Sequence, residues 1–205
     1  MSHERAPPLA VVESQPAAEA PARRFTLIRA ADLKTRAVDW LIQDYLEADT
    51  LSLVFGDPGC GKSFLAIDAA CCVAADLAFH DKTVRHAPVV YIAGEGQNGL
   101  ARRFNARSIR HGIPLDDLPL YVSTGPAALC DAESALDVRQ AVDEIAEAEG
   151  SPGLVVVDTL ARNFGPGDEN STQEMGAVIQ ALDAIRSHHQ APATGTSNAP
   201  AGPWH

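Results

Sequence analysis

Along the middle of the chain, short unbroken apolar runs alternate with longer stretches of helical periodicity. The runs are residues 50–55 (TLSLVF), 88–93 (PVVYIA), 118–123 (LPLYVS) and 153–158 (GLVVVD). Their interiors are rich in Val, Leu and Ile and lack the apolar–polar alternation of a half-solvated strand. They are therefore predicted to be strands covered on both faces. Between them, residues 62–78 are apolar nearly all round, as in a buried helix. Residues 98–112 predict a helix stopped by Gly112 and Pro114. Residues 133–150 form an amphipathic helix with Ala135, Val138, Val142 and Ile145 on one face, and residues 175–187 form a last one. The STQE at residues 171–174 predicts a capping box at its start. Strand and helix in alternation imply an α/β fold: a parallel sheet with helices on both faces.

The flanks are different. Residues 1–24 are rich in Ala, Pro, Glu and Arg without periodicity and are predicted to be a disordered leader. Residues 25–50 are expected to lie against the core with Trp40 and Leu41 as anchors. From His188 onward there is no Val, Ile, Leu, Phe or Met, so residues 188–205 read as an unstructured tail. The domain proper is then residues 25–187.

Composition narrows the function classes. With 16 Lys and Arg against 27 Asp and Glu, the net charge is −11, which disfavours general nucleic-acid binding. The densest local basic cluster is Arg102, Arg103, Arg107 and Arg110. Aromatic residues are only 5%, so aliphatic side chains must fill the core. The four cysteines, Cys60, Cys71, Cys72 and Cys130, show no C-x-x-C spacing and suggest neither a zinc knuckle nor a dithiol redox site. Cys71 and Cys72 read as small buried hydrophobes, and a reducing cytoplasm is the expected setting. The N-terminus has no apolar stretch of the signal-peptide kind, and no run is long enough to span a bilayer.

The chemistry concentrates at the end of the first run. FGDPGCGKSF contains G-x-x-x-x-G-K-S between a predicted strand and a predicted helix, the context in which this spacing cradles phosphates. The predicted nucleotide-binding residues are Gly56, Asp57, Pro58, Gly59, Cys60, Gly61, Lys62, Ser63 and Phe64. Loop N–H groups and the helix N-terminus would face the phosphates, Lys62 would reach the β- and γ-phosphates, and Ser63 would offer its hydroxyl to Mg²⁺. Cys60 lies inside this loop, so a modest sensitivity of nucleotide binding to alkylation is expected. A hydrolytic site also needs a carboxylate in the metal shell and a group that orients water. Asp158, ending an apolar strand, is the candidate for the first. Glu95, between Gly94 and Gly96 at the end of the second strand, is the candidate for the other, because ligands of such sheets lie at strand carboxyl ends. Asp168, Glu169 and Asn170 either face the γ-phosphate side or a neighbouring subunit, or form a plain loop.

Together, GDPGCGKSF, VVYIAGEGQNGLARRFNA and GLVVVDTLARNFGPGDENSTQE resemble the RepA-type AAA-family ATPases, RecA-like proteins related to hexameric plasmid and phage replicative helicases. The resemblance covers roughly residues 25–187. It implies a RecA-like P-loop NTPase fold, ATP and Mg²⁺ as ligands, a homo-oligomeric ring in full-length relatives, and single-stranded DNA as partner. On it, Glu95 matches the catalytic glutamate, Asp158 the metal-shell aspartate and Arg103 an arginine that follows the glutamate. Lys62 joins them as a catalytic cation. The resemblance departs at the C-terminus. His188 and His189 follow a helix, whereas the family places its polar sensor at the end of a further strand, so that role is not carried over. The composition change after Gln190 leads to the expectation that the sheet is incomplete at its C-terminal strands and the chain truncated or frame-shifted relative to its relatives. Residues 50–55 would then be an exposed apolar edge. Three functions follow as expectations: a helicase-type ATPase, a nucleotide-binding module with little turnover, and a small-molecule kinase. The absence of an acceptor site or lid in the sequence disfavours the kinase.

Overall fold

A computed structural model describes residues 27–35, 37–94 and 96–188. The leader expectation, the tail expectation from residue 189 onward, the truncation expectation and Glu95 fall on residues outside these, whereas His188, expected in the tail, is helical. The chain divides into two compact units, Met1–Ala37 and Val38–His205. In the first, the described residues form a single 3-10 turn at Ala30–Asp32. The second carries the sheet and everything that follows.

It opens with a small antiparallel hairpin, β1 (Trp40–Ile42) and β2 (Leu46–Glu47), which the sequence pattern did not reveal. Leu41 and Ile42 are its buried anchors, whereas Trp40 is half-buried. Then come α1 (Lys62–Ala75), β3 (Val89–Ala93), α2 (Gln97–His111), β4 (Leu120–Val122), α3 (Ala132–Glu149), β5 (Leu154–Asp158), the short α4 (Leu160–Asn163) and α5 (Thr172–His188). The sheet is parallel, in the order β4-β3-β5. β3 is central and buried along its whole length, as its unbroken VVYIA run requires.

The two crossovers run in opposite directions along the sheet, from β3 out to β4 and from β4 back across to β5. Parallel crossovers keep a right hand in about 98% of cases, so a reversal of direction puts successive helices on opposite faces. Accordingly, Leu100 and Phe104 of α2 pack with α1 against Val89, Tyr91 and Ala93 on one face. Val142 of α3 and Ile185 of α5 pack against Val90 and Ile92 on the other. Each such fully buried aliphatic or Phe side chain contributes about 1.5–3 kcal/mol over its exposed state. The face expected for α3 is the buried one: Val138, Val142 and Ile145 all join this second cluster. Among the described residues, no helix is long and apolar enough to cross a membrane.

Helix ends follow their local chemistry. Gly112 caps α2 in the left-handed conformation at φ 68°, which glycine adopts without strain. Asp131, missed by the sequence reading, caps α3 by accepting from the Ser134 N–H at 2.9 Å. The Asp131 carboxyl is held below its usual range by that bond. The STQE box is only half formed. Ser171 Oγ accepts weakly from the Glu174 N–H at 3.4 Å, but the Glu174 carboxylate accepts from the Asp168 N–H at 2.6 Å.

One predicted strand is absent. Residues 50–55 are not in the sheet, and their apolar side chains face solvent, Leu53 by 73% and Phe55 by 86%. A strand exists only where its N–H and C=O groups meet a neighbouring ladder. Among the described residues no strand runs beside this segment. Residues 50–55 are exposed, but as chain outside the sheet and not as the edge strand expected.

Candidate active site

The loop after residue 55 turns through left-handed glycines, Gly59 at φ 80° and Gly61 at φ 96°, which a side chain would strain. Gly61 is the N-cap of α1, and because it has no side chain, none caps the helix. The first-turn N–H groups of α1 therefore point at the loop's concavity, the arrangement that attracts anions. Lys62 folds back over the loop. Its Nζ donates to the Gly56 carbonyl at 2.7 Å and the Asp57 carbonyl at 3.0 Å, and lies 3.9 Å from Cys60 Sγ.

Ser63, one residue on, faces the end of β5. Its hydroxyl donates to Asp158 Oδ1 at 3.0 Å, so two motifs 95 residues apart meet at one point. The other carboxylate oxygen, Oδ2, accepts from the Tyr91 hydroxyl at 2.6 Å. Tyr91 is fully buried on β3 and packs edge-to-face on Phe104 of α2, with ring centroids 5.6 Å apart. Both oxygens of Asp158 are thus engaged and its plane is fixed. Tyr91 was not foreseen; its signal is a hydroxyl inside an otherwise aliphatic run, which must find a partner when buried.

Asp158 and Ser63 fit a magnesium ion by donor type, since Mg²⁺ takes hard oxygen ligands and is held by one or two carboxylates together with substrate phosphates. Among the described residues no group of three or more His, Cys, Asp or Glu forms an all-protein metal cage.

β3 and β5 are in register, Ala93 opposite Asp158, and the Gly94 N–H donates to the Asp158 carbonyl at 2.7 Å. Gly94 must be glycine: a Cβ there would collide with the Cβ of Arg162 on α4. That close approach is held by Asn163, a second unforeseen residue, which is completely buried. Its amide donates to the Thr159 carbonyl and accepts from the Ala127 N–H, each at 2.9 Å, tying the ends of two loops together.

Arg103 stands with its guanidinium 5.3 Å from the ring centroid of Phe64, and both line the same open groove as Lys62. This groove, about 1090 Å³, runs from Cys60, Gly61 and Lys62 between α1 and α2 to Arg110 and His111. In the acidic cluster after β5, Asp168 and Asn170 bond to each other. Asp168 Oδ1 accepts from the Asn170 backbone and side-chain nitrogens at 2.9 and 3.2 Å, closing the turn that leads into α5.

The cysteines divide as the sequence suggested. Cys71 and Cys72 are buried in α1, and burial pushes the Cys71 thiol up to about 11. Cys60 is exposed within the phosphate loop. Maleimide labelling is expected to reach Cys60 first and to spare Cys71 and Cys72 until the protein unfolds. Saturating ATP should slow the Cys60 reaction, and complete labelling there should abolish ATP binding. Undiminished ATP affinity in protein shown by mass spectrometry to be fully modified at Cys60 would remove that residue from the site.

A search of curated proteins returned no match. A family model described as an AAA domain matches residues 16–198, most of the chain and all of the sheet, loop and carboxylate geometry above. A parallel sheet flanked by helices, a glycine-rich loop opening α1, and a strand-end aspartate on the hydroxyl next to the loop lysine all agree with that match, and the chain belongs to the AAA domain family of nucleotide-binding P-loop ATPases.

Proposed function

We propose that this chain is a Mg²⁺-dependent ATPase of the RecA-like, replicative-helicase type, acting in DNA replication or in the maintenance of a mobile element. The observation that carries the reading is the contact between Ser63 and Asp158, which sets the hydroxyl and the carboxylate expected around Mg²⁺ side by side at the head of the phosphate loop. In the proposed site the loop N–H groups and Lys62 bind the phosphates, and Ser63 and Asp158 hold Mg²⁺. Tyr91 keeps the Asp158 carboxylate in position. Bound Mg²⁺ supplies neutralisation of the charge that develops on the transferred phosphoryl oxygens. Glu95 orients the attacking water and accepts its proton, and Arg103 adds positive charge on the γ-phosphate side. Single-stranded DNA is the proposed working partner and a homo-oligomer the proposed assembly.

A second reading, a nucleotide-binding module with little turnover, is favoured by one feature. The segment leading into the loop, residues 50–55, is exposed and outside the sheet, so no sheet strand leads into the loop. One experiment separates the two: phosphate release by the purified protein with Mg²⁺-ATP, with and without single-stranded DNA, beside calorimetric ATP binding. Turnover stimulated by DNA is expected. Tight binding without turnover selects the second reading, and no binding removes both.

A further inference from the structure

Along the groove, α1 and α2 meet in two facing rows. On α1, Phe64, Asp68 and Cys72 are spaced by four and share one stripe, and on α2 Arg103 and Arg107 do the same. Arg103 lies over Phe64. One helical turn further from the phosphate loop, Arg107 meets Asp68 and Cys72. Its Nε donates to Asp68 Oδ1, and its Nη2 donates to Cys72 Sγ at 3.2 Å. The other Asp68 oxygen, Oδ2, lies 3.4 Å from His80 Nε2 in the turn after α1. The Cys72 thiol in turn donates to the Ala78 carbonyl at 3.6 Å. Both Asp68 oxygens are thus engaged, and the Arg107 fork is held at two points.

The contacts between these helices fix different things. Leu100 and Phe104 pack with α1 in the core. Such burial sets how closely the helices approach, but it is non-directional and does not stop one sliding along the other. The Phe64 ring is 64% exposed, and a cation tolerates small displacements over a ring face. The Arg107–Asp68 pair is directional, and its side chains are only 12% and 30% exposed, so water and salt screen it less than a surface pair. Fixing register is the best-attested use of charged groups held out of water. The register matters here because α1 opens with Lys62 and Ser63, whereas α2 carries Arg103. A slip of one residue moves Arg103 by about 1.5 Å along α1, enough to break a hydrogen bond to a phosphate.

We propose that Asp68 and Arg107 are positioning residues of the nucleotide site: their ion pair sets the register of α2 on the phosphate-loop helix and so holds Arg103 at the height of the γ-phosphate. Arg107 acts through Arg103 and needs no contact with the nucleotide, since its Nε and Nη2 are taken by Asp68 and Cys72. A pair that only joined two helices would support the fold without bearing on which nucleotide is bound. The inference rests on the proposed function in placing Arg103 on the γ-phosphate side. It is read as nucleotide preference, not turnover, so the two fail separately.

Calorimetry on the full chain with ATPγS and with ADP, each with Mg²⁺, measures the preference for a third phosphate. Arg103→Ala is expected to lower that preference about tenfold, the loss of one charge-assisted contact. Asp68→Asn keeps the shape and removes the charge; Arg107→Met keeps the stem and removes the fork. Each should lower the preference about three- to tenfold, with ADP affinity held within about twofold. In an Arg103→Ala background neither should lower it further, because both act through that arginine. Denaturation curves follow stability, and if one variant fails to fold the other must still show the loss. An unchanged preference in the folded variants, a loss that adds in full to that of Arg103→Ala, or failure of both variants to fold would overturn the proposal and make the pair a helix clamp. Equal binding of the two nucleotides by the unmodified chain would overturn it too, by taking Arg103 off the γ-phosphate, and binding of neither would remove the nucleotide site with it. The expected losses in a chain that shows no turnover would keep the positioning role and remove only the ATPase reading.

Discussion

Lys62→Ala is expected to lower ATP hydrolysis by about 10²–10³-fold, the loss typical of removing one preorganised group that meets developing charge. The ammonium donates to the carbonyls of Gly56 and Asp57 and so spans the loop from its first residues to the helix start. These bonds are exposed and hold the cation where a phosphate can take it over. Binding then exchanges two neutral acceptors for anionic oxygens, a charge-assisted bond about twice as strong. Arginine should not substitute, because its planar fork cannot place a single compact charge between loop and phosphate. Lys62 lies near the surface, so the alanine variant should unfold within about 0.5 kcal/mol of the parent. The check is phosphate release and calorimetric ATP affinity beside a denaturation curve. Affinity within twofold of the parent at unchanged stability would mean that the phosphates are bound elsewhere.

The phosphate loop, its helix and Asp158 were legible because each depends on residue types in fixed local order: glycines where φ is positive, a lysine and a hydroxyl at a helix start, an acid ending an aliphatic strand. Four of the five α-helices and three of the four predicted strands were legible for the same reason, with ends displaced by at most three residues, while the short α4 was not. The hairpin of β1 and β2 was not, since two- and three-residue strands carry too little pattern. Residues 50–55 show the limit most clearly. Their apolar run gives β propensity, but a strand needs a partner ladder, and that is a property of other segments. Tyr91 and Asn163 were invisible for another reason. Their roles come from burial beside Asp158 and α4, through contacts 67 and 36 residues away in sequence. Glu95 was named from its place at the end of a predicted strand and Arg103 from resemblance, and of the two only Arg103 is among the described residues, lining the groove with Lys62.

Asp158→Asn is the second change with a large expected effect, again about 10²-fold or more in turnover. The amide keeps the size and one acceptor oxygen but loses the negative charge that suits a hard cation. In the parent, Ser63 donates to one carboxylate oxygen and Tyr91 to the other. With asparagine, one of these hydroxyls must turn to face an NH₂ group, so the orientation of the side chain is disturbed as well as its charge. Tyr91→Phe separates the two effects. It leaves the charge intact and removes the positioning hydroxyl, and changes of this outer kind usually cost about 10–100-fold in metal affinity or activity. The expected signature is a turnover curve against Mg²⁺ concentration. In Tyr91→Phe the half-saturating Mg²⁺ rises while the plateau is largely retained, because the carboxylate remains but is less well held. In Asp158→Asn the plateau itself falls and extra Mg²⁺ does not restore it. Stability must be followed in parallel, since Tyr91 is fully buried and packs on Phe104 within the core. If Tyr91→Phe left the Mg²⁺ curve unmoved, the tyrosine would be a packing residue and Asp158 would be oriented by Ser63 alone. If Asp158→Asn kept full turnover, the contact at the loop would be structural, and the assignment of the metal shell to Ser63 and Asp158 would be withdrawn.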